Sequence, residues 1–129
     1  MQSKFEPKIG SVSSKQWSTL KGTEFPFSDH NYLNALEESS CVGEESGWLP
    51  CHLTLWEKKQ LQGAVCLYEK YNGYGEYIFD WGWANAYEKY GLNYYPKLVS
   101  AIPFTPATGL KLLVHPEADT SNVRKKLLE

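Results

Sequence analysis

A chain of 129 residues is long enough for one domain with a real apolar core, so it does not need disulfide staples. Its 42% hydrophobic and 22% charged residues are ordinary for a globular protein, and a net charge of −2 excludes a broad basic footprint for nucleic acid. No apolar run approaches the roughly 18 residues that span a bilayer, and the N-terminal MQSKFEPKIG lacks the hydrophobic segment of a secretory signal.

In chain order, residues 4–13 read as a first strand weakened by Pro7. Ser14 is a candidate N-cap for a short helix over 15–22 that stops at Gly22. Ser28 or Asp29 then caps a helix presenting Tyr32, Leu33 and Leu36 on one face. Its acidic end, Glu37-Glu38, is expected in solvent, and Gly43 closes the element. The next stretch, GWLPCHLTLWEKKQLQGAVCLYEKYNG, is the clearest hairpin. Leu53 and Leu55 alternate with His52, Thr54 and Trp56, as a half-buried strand requires. Lys58-Lys59 mark its turn, Leu61 to Lys70 return as a second strand, and Asn72-Gly73 supply another turn.

Residues 74–97, YGEYIFDWGWANAYEKYGLNYYPK, crowd Tyr, Phe and Trp around Glu76 and Asp80. Tyr77, Phe79, Trp81 and Trp83 alternate and are compatible with a third strand. The run is long for a strand, so the expectation is a helix from about Glu76 to Tyr90. Gly91 stands where a left-handed cap would close it. Phe79, Trp83, Ala86 and Tyr90 then form one stripe, with Tyr77, Trp81 and Ala84 on the next, which predicts a buried helix. YYPKLVSAIPFTP and LKLLVHP follow as strands, and Asp119, Thr120 or Ser121 caps a last helix.

This order of elements resembles an N-acetyltransferase-type (GNAT) domain. More specifically, PFSDHNYLNALEESS, GWLPCHLTLWE, YGEYIFDWGWANAYEKYGLNYYPKL and IPFTPATGLKLL resemble the FemAB-like peptidoglycan biosynthesis/recognition family. Those segments span about residues 26–114. The resemblance implies an α/β (α+β) fold with a mixed, mostly antiparallel sheet flanked by helices. It implies that residues 1–129 form one GNAT-like domain, the N-terminal half of a longer protein with two such halves. Better-understood relatives move an amino acid from aminoacyl-tRNA onto an amine of a peptidoglycan precursor, at sites largely between the halves. Partners implied are an acyl or aminoacyl donor, an amine acceptor, and either the second half or another copy of the chain.

In N-acetyltransferases a strand ending V-x-P-E leads into a basic, glycine-rich loop and a helix N-terminus that hold a pyrophosphate through backbone N–H groups. Here Val114 and Pro116-Glu117 match, but Asp119, Thr120 and Asn122 stand where an Arg or Gln and two glycines are expected. An aspartate repels a diphosphate and side chains block close backbone approach, so no coenzyme A and no other cofactor is expected. No metal site is expected either.

Placed four apart on a helix, Glu76 and Asp80 share a face. An attacking amine must lose a proton, and a carboxylate whose pKa is raised by apolar neighbours can take it, which makes Asp80 and Glu76 the candidate catalytic pair. The competing structural reading pairs one carboxylate with Lys70 or Lys97 and leaves the other in water. Tyr74, Tyr77 and Trp81 are candidate rim residues of a substrate cleft, with Lys97 beside them, while Phe79, Trp83 and Tyr90 are expected to build core. Thr105 and Thr108, in a Pro/Gly turn, are kept as candidate substrate contacts on the strength of the family resemblance.

Other features are weak. Cys51 and His52 point to opposite faces of a strand and cannot pair as nucleophile and base. His30, His52 and His115 read as structural or surface histidines. Cys41, Cys51 and Cys66 fit neither a disulfide framework nor a CxxC zinc site, and read as reduced thiols of a cytoplasmic protein. The sequence therefore points to an acyl or aminoacyl transferase-like protein acting on an amine acceptor, with a non-catalytic peptide- or glycan-binding domain as its rival.

Overall fold

The computed structural model describes residues 1–77 and 80–129. Among these, seven strands form two antiparallel sheets with four α-helices, a mixed α+β architecture. Strands β1 (Gln2–Glu6), β3 (His52–Glu57), β4 (Gln60–Val65) and β7 (Leu113–Val114) make a four-stranded sheet in the order β1-β3-β4-β7. Strands β2 (Trp48–Pro50), β5 (Tyr68–Lys70) and β6 (Lys97–Val99) make the second sheet in the order β2-β5-β6.

The long hairpin is present, but it divides between the sheets. Lys58 and Lys59 both take left-handed φ, 47° and 68°, and close a two-residue turn between β3 and β4. At the far end Cys51 and the Cys66-Leu67 pair separate β2 from β3 and β5 from β4. Pro50, which has no N–H to extend a ladder, stands at this break. The expected single strand from Leu61 to Lys70 is thus two strands in different sheets. The expected half-buried β3 is covered on both sides. Leu53 and Leu55 pack towards helix α4 (Thr120–Leu128), while Trp56 packs with Ile9, Val12, Trp17, Leu20 and Leu33.

Helix boundaries are set by caps. Ser13, rather than Ser14, caps α1 (Ser14–Trp17), accepting from the Gln16 N–H, and the helix is shorter than its sequence suggests. Asp29 caps α2 (His30–Glu38) through the N–H groups of Asn31 and Tyr32. That helix ends at Glu38, ahead of Gly43. Asp119 caps α4 by accepting from Asn122 N–H at 3.2 Å. Gly63 on β4 lets α4 approach, since a Cβ there would lie 2.6 Å from Val123.

The remaining boundaries also contract. The first strand stops at Glu6 and gives way to a 3-10 turn over Ile9–Ser11, where Pro7 has removed a ladder donor. The two strands expected over 94–106 and 110–116 reduce to β6 and β7, so most of the stretch between them is irregular. No helix among the described residues is long and apolar enough to cross a membrane.

The largest correction concerns residues 74–97. The expected helix from Glu76 to Tyr90 is α3 (Trp81–Lys89), with Asp80 at its N-cap position but making no side-chain cap bond. Gly75, just before the expected helix, and Tyr77, inside it, have left-handed φ of 79° and 59°, and a helix cannot contain the latter. Gly75 is needed for a second reason: a Cβ there would lie 2.5 Å from the Phe104 ring. Nor is α3 a buried helix. None of its residues is buried, and Trp83 and Tyr90, both expected in the core, are 68% and 83% exposed. Phe79, the third expected core residue of the stretch, lies outside the described residues.

Candidate functional site

The second sheet carries the site. Tyr68 and Lys70 are two apart on β5, so both point to the same face, and both are fully buried. The Lys70 ammonium lies 4.1 Å from the centre of the Trp48 ring and donates to the Tyr74 carbonyl at 2.6 Å and to Asn72 Oδ1 at 3.2 Å. Trp48 donates its indole N–H to the same Tyr74 carbonyl at 3.1 Å. These bonds wrap the turn after β5 around Lys70 and bring Glu76 Oε2 to 3.7 Å from its ammonium.

Lys97, the first residue of β6, pairs with Lys70 across the β5–β6 ladder. Its ammonium donates to Glu76 Oε1 at 2.7 Å and to Asp80 Oδ2. Tyr94 donates its hydroxyl to the same Asp80 oxygen at 2.5 Å. Glu76 and Asp80 therefore meet through a shared lysine rather than along a helix face. The expected ion pair with Lys70 or Lys97 is present, but neither carboxylate is left in water, because both face lysines.

The electrostatics follow from these contacts. Burial pushes the Asp80 carboxyl up, but the hydrogen bonds from Lys97 and Tyr94 outweigh it and hold Asp80 below the usual range. The expectation of a raised Asp80 pKa is thus overturned, because apolar neighbours are not its nearest neighbours. Burial lowers Lys97, yet Asp80 and Glu76 outweigh it and raise Lys97 above its ordinary value. Burial dominates at Lys70 and lowers it, against the opposing pull of Glu76. Tyr94 is raised, chiefly by its bond to Asp80.

Each carboxylate has one oxygen without a hydrogen bond, and that of Glu76 faces the Lys70 ammonium at 3.7 Å. Asp80 Oδ1 and Glu76 Oε2 are buried and accept no hydrogen bond from any described residue. Asp80 Oδ1 lies beside Gly73, where a Cβ would meet it at 3.4 Å and the Tyr95 hydroxyl at 3.1 Å. Gly73 in turn lines an open cleft with Tyr71, Asn72, Tyr74, Trp81 and Tyr95. The cleft thus approaches the carboxylate pair past Gly73 and Tyr95.

Of the residues singled out in the sequence, Asp80, Glu76 and Lys97 come together, and Tyr74 and Trp81 line the adjacent cleft. Tyr77 is exposed on the left-handed turn beside Glu76. Thr105 donates its hydroxyl to the Pro103 carbonyl, and Thr108 is exposed on the stretch between β6 and β7. Sequence reasoning missed Tyr94, Tyr95 and Gly73 as members of the site, while Lys70, named only as a possible ion-pair partner of one carboxylate, does face Glu76.

The remaining candidates are structural. His30 Nε2 lies at hydrogen-bonding distance from the Ile9 and Val12 carbonyls, and His52 Nε2 is 2.9 Å from Glu37. Glu37 also accepts from Ile9 N–H, so it is engaged in the fold rather than solvated. The three cysteines are free, and burial pushes the Cys66 thiol up to about 12, which keeps it protonated and unreactive at neutral pH.

No curated protein and no solved structure matches the chain. The sequence does match the FemAB-like family, described as peptidoglycan biosynthesis/recognition, over residues 8–129. With nearly the whole chain covered, the protein belongs to the FemAB-like peptidoglycan biosynthesis/recognition family.

Proposed function

We propose that the chain supplies the acceptor side of an acyl or aminoacyl transferase that acts on an amine of a peptidoglycan-related precursor. One observation carries the reading: Asp80, ordered by Lys97 and Tyr94, holds back a buried oxygen without a hydrogen bond beside an aromatic cleft, with Glu76 across the shared lysine. Buried acceptors of this kind are costly unless a ligand donor meets them. An amine offers N–H donors of the right kind, and family membership supplies a peptidoglycan context.

In the reaction, the amine nitrogen attacks the carbonyl carbon of an activated ester. The C–N bond forms and the C–O bond to the leaving alcohol breaks. The proton lost by the amine passes to the departing oxygen. Asp80, held ionised by Lys97 and Tyr94, orients the N–H groups, and Glu76 sits across the shared lysine as second acceptor. Tyr74, Trp81 and Tyr95 form the walls past which the amine chain enters. In this reading a second GNAT-like half carries the donor, since Asp119 already occupies the N-terminus of α4 with a carboxylate.

Calorimetry with the tripeptide L-Ala-γ-D-Glu-L-Lys and its Nε-acetyl form tests this. The free amine should bind and the acetylated form should not. Asp80→Asn should lose the binding while retaining the wild-type circular dichroism. Loss of fold in Asp80→Asn with binding per folded molecule preserved overturns the reading and leaves Asp80 an ion-pair partner.

A second reading, a non-catalytic peptide- or glycan-binding domain, is favoured by the exposed aromatics of α3, Trp81, Trp83 and Tyr87. Under it, a peptidoglycan fragment binds equally well with its amine acetylated.

A further inference from the structure

The amine-acceptor reading leaves one charged group without a task. Lys70 is fully buried and makes no contact with the cleft lining other than through Asn72 and Tyr74. A lysine at such a place is expensive to desolvate, and pairing with Glu76 at 3.7 Å offsets only part of that cost. The Tyr74 carbonyl does not depend on its charge alone, since Trp48 also donates to it.

The charges around it suggest why one is kept. From the turn after β5 comes Glu76, from the N-terminus of α3 Asp80, from β6 Lys97, and from the segment before β6 the phenols of Tyr94 and Tyr95. Two ammonium groups thereby offset two carboxylates. Without Lys70 the cluster would carry a net negative charge. Such a site holds an incoming amine as its ammonium ion, which has no lone pair with which to attack a carbonyl carbon. A nearby buried positive charge does the opposite and favours the neutral, nucleophilic amine.

We propose that Lys70 is a positioning residue of the acceptor site whose buried charge, set against Glu76, keeps that site from retaining an amine in its protonated form. Lys70 touches no substrate. It acts through the field at the carboxylates and through the turn that carries Glu76. The proposal rests on the amine-acceptor reading and adds to it the electrostatic device that makes a bound amine reactive.

The test separates the two. The tripeptide L-Ala-γ-D-Glu-L-Lys and its Nε-acetyl form are titrated by calorimetry at pH 7 into the wild-type chain, Lys70→Met, Lys70→Gln and Lys70→Arg. Circular dichroism reports the fold of each. The neutral variants should bind the free amine more tightly than wild type, by on the order of tenfold. Lys70→Arg should restore the wild-type constant. A bound-state ε-amine titration, followed by NMR with a 15N-labelled ligand, should move to higher pH in the neutral variants and not in Lys70→Arg.

A residue that merely held the turn in place would weaken binding when replaced, so weaker or unchanged binding in folded neutral variants overturns the proposal. So does a failure of both neutral variants to fold, which would make the charge structural. If the wild-type chain does not distinguish the free from the acetylated tripeptide, the amine-acceptor reading itself fails, and the proposal with it.

Discussion

The two sheets of this molecule are held by different physics. In the four-stranded sheet, Ile9, Trp17, Leu33, Leu61 and Leu113 fill one side and Leu55, Val114, Val123 and Leu127 the other. Its stability comes from apolar area removed from water, at roughly 25 cal/mol per Å2, and no single polar contact decides it. In the three-stranded sheet, Trp48 and Tyr68 are buried beside a lysine, and the space beyond is closed by Lys97, Glu76, Asp80 and Tyr94. Ion pairs of this kind return little net stability, because desolvating the charges offsets most of the Coulomb attraction. In the proposed reading the second sheet serves chemistry or recognition, whereas the first serves folding.

That contrast can be sharpened by mutation. The largest effect belongs to the apolar sheet. Trp17→Ala removes a fully buried ring and its N–H bond to the Ser28 carbonyl, and should cost about 3–5 kcal/mol in chemical denaturation. A loss under 1 kcal/mol would show that the first sheet is not the folding core.

Asp80→Asn should have an intermediate effect with a defined pH dependence. Loss of the charge-assisted bonds to Lys97 and Tyr94 should cost about 1–2 kcal/mol near pH 7. Because the folded pKa of Asp80 lies below its unfolded value of about 3.9, this contribution is present above that pH and is lost as pH falls through the folded pKa. The stability gap between wild type and variant should therefore close below about pH 4. Lys97 has the opposite sign: its folded pKa is raised, so its contribution is full below about pH 10.4 and disappears at higher alkalinity. Denaturation curves at pH 3, 7 and 11 check both directions. A gap that stays constant down to pH 3 would mean that Asp80 is not held ionised by its neighbours.

The smallest effect is expected on the surface of α3. Trp83→Ala and Tyr90→Ala should each change stability by no more than about 0.5 kcal/mol, since neither side chain is packed. A Trp83→Ala loss of several kcal/mol would return that helix to the core. Unchanged stability together with weakened binding of a peptidoglycan fragment would instead favour the platform reading.

Much of the chain was legible from local patterns. Asp29 and Asp119 cap their helices because a short acidic side chain can reach N–H groups two or three residues on, a property of local sequence. The Lys58-Lys59 turn and the strands on either side of it likewise follow from alternation and spacing. Asp80, Glu76, Lys97 and Trp81 were legible as site candidates from residue type alone. Their geometry was not, because the spacing of Glu76 and Asp80 mimics a helix that the left-handed Tyr77 interrupts.

The sequence by itself determined the family, through the resemblance of its long ordered segments, and the central hairpin and most caps, which rest on periodicity or on contacts a few residues apart. The tertiary structure alone decided three further matters. It split the hairpin between two sheets, left the aromatic helix α3 uncovered, and brought Lys70 on β5 and Lys97 on β6 to carboxylates from the intervening segment. The physical reason is the same in each case. Apolar periodicity says that a face prefers to be covered, but not whether another element reaches it. Residue type says that a lysine can pair with a carboxylate, but not that a neighbouring strand and its turn enclose the pair.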